Sequence, residues 1–159
     1  LVAGDLDINS FQHKPYMEQQ NEDRGYKLVA AASTITFPLT YYTRKGYKTL
    51  TDLPLGARIG IPNDPTNGSR ALHMLEEKGL ITLNPKAGIR ATVLDITANP
   101  KSIRIIELDS AQLPRSLDDL DAAAINASYA EPAGLIPAKD GIARERPDGP
   151  YANILCVRA

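Results

Sequence analysis

The sequence predicts an α/β fold with largely parallel sheets, and three observations point there. Five short apolar runs recur along the chain: LVAAAS (28–33), ARIGI (57–61), SIRIIEL (102–108), DAAAINA (121–127) and YANILCV (151–157). Helix-like stretches lie between them, namely KPYMEQQNEDRG (14–25), NGSRALHMLEEKGL (67–80) and SYAEPAGL (128–135). Strands that alternate with helices are the mark of crossover units and parallel pairing. The runs are also too continuously apolar for strands with one wet face, which fits burial on both sides.

The totals bound what such a fold can do. The chain has 159 residues, room for one ordinary domain or two small lobes. Folding at this size buries roughly 68–70% of the unfolded surface, so no metal or disulfide staple is required. Hydrophobic residues at 43% and charged residues at 23% describe a globular chain. A formal net charge of −1 argues against nucleic acid or an anionic membrane as the main partner. One cysteine rules out an intramolecular disulfide. No stretch approaches the roughly 18 apolar residues of a membrane-spanning helix. The opening LVAGDLDINS lacks the order of a signal peptide, and both ends read as cut, since NILCVRA closes on an apolar run.

Taken in order, Leu6 and Ile8 alternate with Asp5 and Asp7 and predict a short first strand. Phe11-Gln-His-Lys-Pro-Tyr16 follows, with Pro15 suited to the first turn of a helix. The stretch 37–48 (FPLTYYTRKGYK) has mixed polarity and reads as a crossing segment between lobes. Thr49-Leu-Thr-Asp52 and Ser116-Leu-Asp-Asp119 carry capping-box spacing before brief helices. A helix over 68–78 is predicted to stop at Gly79 after Lys78.

Candidate chemistry sits where strands give way to helices, because ligands of open α/β sheets settle outside the carboxyl ends of strands. Phe11, His13 and Tyr16 stand at one such junction; the plainer reading makes them core aromatics and a turn cap. Asn63, Asp64, Thr66, Asn67, Gly68 and Ser69 form a turn-rich approach to the next helix, with N–H groups ready for an anion. Arg70 falls at that helix's start, against the positive end of its dipole, where its planar fork suits a carboxylate. The alternative is a surface pair with Glu76, Glu77 or Asp64, worth ~0–1 kcal/mol. Asn126 ends the run AAAIN and Asn153 lies within YANILCV; an amide can serve an ammonium and a carboxylate at once, or simply a turn.

Catalysis finds little support. Cys156 alternates into an apolar run as a small hydrophobe would. His73 lies mid-helix, and two histidines make no metal-ligand spacing. Asp118, Asp119 and Asp121 read as an acidic cap. Neither a phosphate-binding loop nor a nucleophile-elbow or zinc-protease motif occurs. No cofactor is expected.

Taken together, FQHKPY, IPNDPTNGSRAL, AQLPRSLDDLDAAAIN, PAKDGI and PYANILCVRA resemble the NlpA/MetQ family of bacterial methionine-binding lipoproteins, across nearly the whole chain. The resemblance implies a periplasmic-binding-protein-like (type II) α/β protein whose two lobes close on a free amino acid. One lobe would be 56–126; the other, incomplete, would be 1–55 with 127–159. It also implies L-methionine or a relative as ligand, an ABC transporter permease and ATPase as partners, and a lipid anchor in the bacterial cell envelope, the anchor cysteine lying outside this sequence. Phe11, His13, Tyr16, Arg70, Asn126 and Asn153 are the matching site residues. The incomplete lobe would expose sheet edges open to oligomerisation or domain swapping; a concentration-independent monomer mass would rule that out. An effector-binding or enzymatic domain on the same bilobed fold is the alternative, since fold alone does not decide function.

Overall fold

Turn residues and apolar runs divide the chain into ten strands and five helices, and the computed structural model describes all of Leu1–Ala159. In chain order these are β1 (Ile8–Asn9), α1 (Lys14–Arg24), β2 (Leu28–Thr36), β3 (Thr40–Tyr42), β4 (Arg58–Pro62) and α2 (Pro65–Glu77). Then come β5 (Thr82–Leu83), β6 (Ile96–Ala98), β7 (Arg104–Leu108), α3 (Leu113–Ser116), β8 (Ala122–Ile125), α4 (Ala127–Ala130), α5 (Pro137–Asp140), β9 (Gly141–Arg144) and β10 (Ala152–Arg158). They fall into two units, Leu1–Pro38 with Arg146–Ala159, and Leu39–Glu145.

In the first unit β10 lies between β1 and β2, antiparallel to both. Helix α1 starts where His13 Nδ1 accepts from the Tyr16 N–H at 3.1 Å, with proline in the first turn. It stops at Gly25, whose φ of 66° is left-handed and whose N–H reaches Asn21 O at 3.0 Å. The Asn21 side chain then exchanges two hydrogen bonds with Leu28 (2.8 and 3.1 Å), which joins the helix end to β2. Met17 of α1 packs with Ile154 and Cys156 of β10 as this unit's small core.

The second unit holds a five-stranded sheet in the order β7-β4-β8-β3-β9, beside a two-stranded β5–β6 ribbon. Parallel pairing is confined to β7, β4 and β8; β3 runs antiparallel to both β8 and β9. Alternate residues of β8 serve opposite faces, as a pleated strand requires. Ala122 and Ala124 join Ile59, Ile61, Leu72, Leu75 and Tyr41 on one side. Ala123 and Ile125 join Leu113, Leu117 and Leu120 on the other. Each fully buried leucine or isoleucine contributes about 1.5–3 kcal/mol. Tyr41 is wholly buried and donates its hydroxyl to Ala71 O at 3.0 Å, which fastens α2 to β3. Gly60 in β4 permits a close layer contact, for a Cβ there would stand 2.7 Å from Leu120 Cδ1 and 2.9 Å from Leu113 Cδ2.

Several expectations change. Burial on both faces holds for β4 and β8 but not for β2, which is exposed along most of its length. That strand is an edge with one hydrogen-bonded neighbour, and its small residues gave the apolar pattern without being covered. The two units divide the chain at 38/39 and 145/146. Residues 39–55 carry β3, which pairs with β8, and 127–145 carry β9, which pairs with β3. Thr49 and Asp52 do form a capping box, as do the unanticipated Thr92 and Asp95. Ser116 does not: it closes α3 and donates back to Gln112 O at 3.2 Å. Gly79, at φ 70°, follows α2 as expected.

Candidate functional site

Helix α2 begins earlier than its apolar spacing indicated, and this alters the meaning of Arg70. Asp64 is the N-cap, its Oδ1 accepting from the Asn67 N–H at 2.9 Å and from the Thr66 hydroxyl at 2.9 Å. Pro65 takes the first helical position, so Arg70 is the sixth residue of α2 and belongs to its second turn. The dipole's opposition fades beyond the first turn, which removes the penalty expected for a cation at the helix start. The anion cradle expected from the loop disappears as well. Asp64 occupies the Asn67 N–H, and the Gly68 N–H is spent on Asp64 O at 2.9 Å.

Arg70 is buried, only 2% exposed, and its fork is organised by two neighbours. Glu145 accepts from Nε at 3.0 Å through Oε1 and from Nη2 through Oε2, a bidentate ion pair. Asn67 Oδ1 accepts from Nη1 at 2.9 Å. The surface partners expected from sequence are not used in this way: Glu76 accepts from the Leu83 N–H and Asp64 caps the helix. Glu145 also accepts from the Leu39 N–H at 3.1 Å, while its own N–H donates to Leu39 O at 2.9 Å. Thus the first and last residues of the second unit are bound to each other and to α2.

Asn126 ends β8 at the N-cap of α4 and makes no side-chain cap. Its Nδ2 donates to Asn67 Oδ1 at 3.0 Å, and its Oδ1 is buried without a protein partner, as is the Ser69 hydroxyl. A buried acceptor that stays unmatched costs about 1–3 kcal/mol, so such an atom commonly meets a ligand or water. Asn67 is therefore the junction between Arg70 and Asn126. In the sequence Asn67 reads as a loop residue. Its spacing of three from both Asp64 and Arg70, one helical turn, is the signal that could have found it.

In the first unit Phe11, His13, Tyr16 and Asn153 come together. Phe11 is 53% exposed and meets Tyr16 edge-on with ring centroids 6.3 Å apart. It is not the core aromatic of the plainer reading. His13 is buried between Tyr16 at 6.1 Å and Tyr151 at 5.3 Å. Because Nδ1 accepts from the Tyr16 N–H, neutral His13 carries its ring proton on Nε2. Asn153 pairs with His13 in an isolated antiparallel bridge and donates Nδ2 to Phe11 O at 3.3 Å. Tyr151, which the sequence does not mark as a candidate, sits one residue before β10.

These sets can bind, orient and discriminate. Cys156 is buried, and burial pushes its thiol above the usual thiol value, away from the reactive thiolate. His73 bonds Gly88 O at 2.8 Å as a helix-to-turn tie. No group of three or more His, Cys, Asp or Glu side chains is placed to hold a metal ion. No helix is long and apolar enough to cross a membrane.

The model of the NlpA lipoprotein family matches residues 1–159. The D-methionine-binding lipoprotein MetQ of Escherichia coli (strain K12) is 49% identical over 99% of this chain and 59% of its own length. Among solved structures, a nutrient binding protein from Burkholderia cenocepacia bound to methionine matches with a TM-score of 0.96 at 53% identity, covering 100% of this chain and 67% of that one. A periplasmic substrate-binding protein of an ABC transporter from Coxiella burnetii matches with a TM-score of 0.94 at 49% identity, covering 99% of this chain and 66% of that one. The chain thus spans about three fifths of the E. coli relative's length, and its fold is the α/β fold of periplasmic substrate-binding proteins. Matched along its entire length by the family model, this chain belongs to the NlpA lipoprotein family.

Proposed function

We propose that the protein is the substrate-binding component of an ABC importer in the bacterial cell envelope, and that it binds methionine or a close relative. The observation that carries this reading is the methionine-bound relative, 53% identical across the whole of this chain. The chemistry of the residues supports it. Arg70, held in a fixed direction by Glu145 and Asn67, is a suitable anchor for an α-carboxylate. Asn126 and Asn153 supply amides for the amino and carboxylate groups. Phe11, Tyr16 and His13 form an aromatic surface suited to a polarizable thioether. The partners on this reading are a permease and an ATPase, and the ligand leaves chemically unchanged.

Calorimetry of the full-length protein with L-methionine, D-methionine, methionine sulfoxide and a methionyl dipeptide tests the proposal and ranks the ligands. Arg70→Ala is expected to weaken binding of the preferred ligand by ~1.5–3 kcal/mol, the scale of a hydrogen bond to a charged group. No heat with any of the four would sink the reading, and an unchanged affinity in the folded variant would remove Arg70 as the anchor.

A further inference from the structure

Donor and acceptor roles can be followed through the second unit's polar cluster one group at a time. An ionised carboxylate only accepts hydrogen bonds, whereas an amide has one accepting and one donating end. Asn67 Nδ2 lies 3.0 and 3.1 Å from the two Asp64 carboxylate oxygens, so the end of Asn67 facing Asp64 must be its nitrogen. Asn67 Oδ1 then faces the opposite way, where Arg70 Nη1 and Asn126 Nδ2 both donate to it. An oxygen at that place obliges Asn126 to offer its nitrogen. What Asn126 has left is Oδ1, buried and without a protein partner.

From this sequence of obligations we infer that Asp64 and Asn67 are positioning residues that hold Asn126 as a hydrogen-bond acceptor toward the ligand. The inference rests on the amino-acid-binding reading and deepens it. Asn126 Oδ1 takes the α-ammonium and not the carboxylate, since a carboxylate there would set oxygen against oxygen. Selectivity for an α-amino group over an α-keto group is thereby set at Asp64, whose carboxylate accepts from the Thr66 hydroxyl and from the Asn67 backbone and side-chain N–H groups. Reversing Asn126 would bring its Oδ1 against Asn67 Oδ1, and reversing Asn67 would bring its Oδ1 against the Asp64 carboxylate and its amide hydrogens against those of Arg70. Each reversal is opposed by a like pair.

The test compares methionine with 2-oxo-4-(methylthio)butanoate, which places an acceptor where methionine has its ammonium. Calorimetry on the unsubstituted full-length protein should show methionine favoured by about 100-fold, the upper part of the range for a hydrogen bond to a charged group. Asp64→Asn keeps a good N-cap but gives Asn67 a partner that satisfies either orientation. In that variant the preference should fall by about tenfold, with thermal stability little changed. Asn67→Ala, which frees Asn126 to turn, should lower the preference at least as far. A purely structural role would weaken both ligands together and leave their ratio alone. An unchanged ratio in both variants would overturn the inference while the binding reading stands. Absence of methionine binding by the unsubstituted protein would overturn both. The unsubstituted protein supplies an independent readout: nuclear Overhauser contacts from the Asn126 Nδ2 hydrogens must place them at Asn67 before and after ligand is added. Loss of those contacts on binding would also refute it.

Discussion

Replacing Glu145 by alanine isolates what the buried ion pair does for the second unit. The substitution removes both acceptors from Arg70 Nε and Nη2 and strips the Leu39 N–H of its partner. Arg70 is left buried with Asn67 Oδ1 among its remaining acceptors. Removing one member of a buried pair costs about 3–5 kcal/mol, far more than the pair's net worth, because a desolvated charge is left behind. The side chain of Glu145 is 13% exposed and that of Arg70 1%, so water can partly reach the vacated space and the lower end, about 3 kcal/mol, is expected. For a chain of this length that loss lowers the thermal midpoint by about 6–12 °C. Urea unfolding followed by far-ultraviolet circular dichroism measures it, with an unchanged slope showing that the native state remains compact. Arg70→Ala alone should cost about as much. The double substitution should cost well under the sum, with a coupling of about 2 kcal/mol. A coupling below about 0.5 kcal/mol would refute the view that these two charges depend on one another.

Two other substitutions address the frame around the site. Gly60→Ala should destabilise by about 1–3 kcal/mol, since its Cβ would intrude on Leu120, Leu113 and Ala123 in a packed layer; a stability within error of the parent would show that the layer yields. Acid sensitivity follows from the capping boxes. Hydrogen bonds from the Thr49 and Lys48 N–H groups hold Asp52 below its ordinary value, and those from the Thr92 N–H and hydroxyl do the same for Asp95. A carboxyl with a depressed folded pKa stabilises fully above its unfolded value near ~3.9 and loses that contribution as pH falls through the folded one. Asp52→Asn with Asp95→Asn should therefore flatten the decline of the urea midpoint between pH 6 and pH 3; an identical decline in both proteins would contradict the assignment.

Local chemistry was legible in the sequence where a single element carried it. The start of α1 at Pro15, the capping box at Thr49 and the stop at Gly79 each depend on neighbours within a turn, and each appears. The start of α2 reads late in the sequence because Asn67, Gly68 and Ser69 favour turns in isolation; the Asp64 cap and Pro65 override that preference. Ser116 failed as a cap because Pro114 had already begun a helix, which puts Ser116 at its end. Glu145 could not be found from sequence at all. It lies 75 residues from Arg70, in a mixed-polarity stretch without period, and only the pairing of β9 with β3 brings it near. The candidate residues themselves were found in two clusters, whereas the groups that orient Arg70 and Asn126 were not, since orientation is a tertiary property.

The Asn67-Gly68 dipeptide in the first turn of α2 bears on the chemical ageing of the protein. In a loose chain, asparagine before glycine cyclises readily: the following backbone nitrogen attacks the side-chain carbonyl, ammonia leaves, and hydrolysis of the ring yields a carboxylate. Here the attacking nitrogen is committed to the helix through Asp64 O at 2.9 Å, and both ends of the Asn67 amide are engaged. The helix thus acts as a preservative. Each time α2 frays, Asn67 is exposed to a reaction that would set a new negative charge against Asp64, and this would be a clock whose rate is governed by the stability of one helix turn.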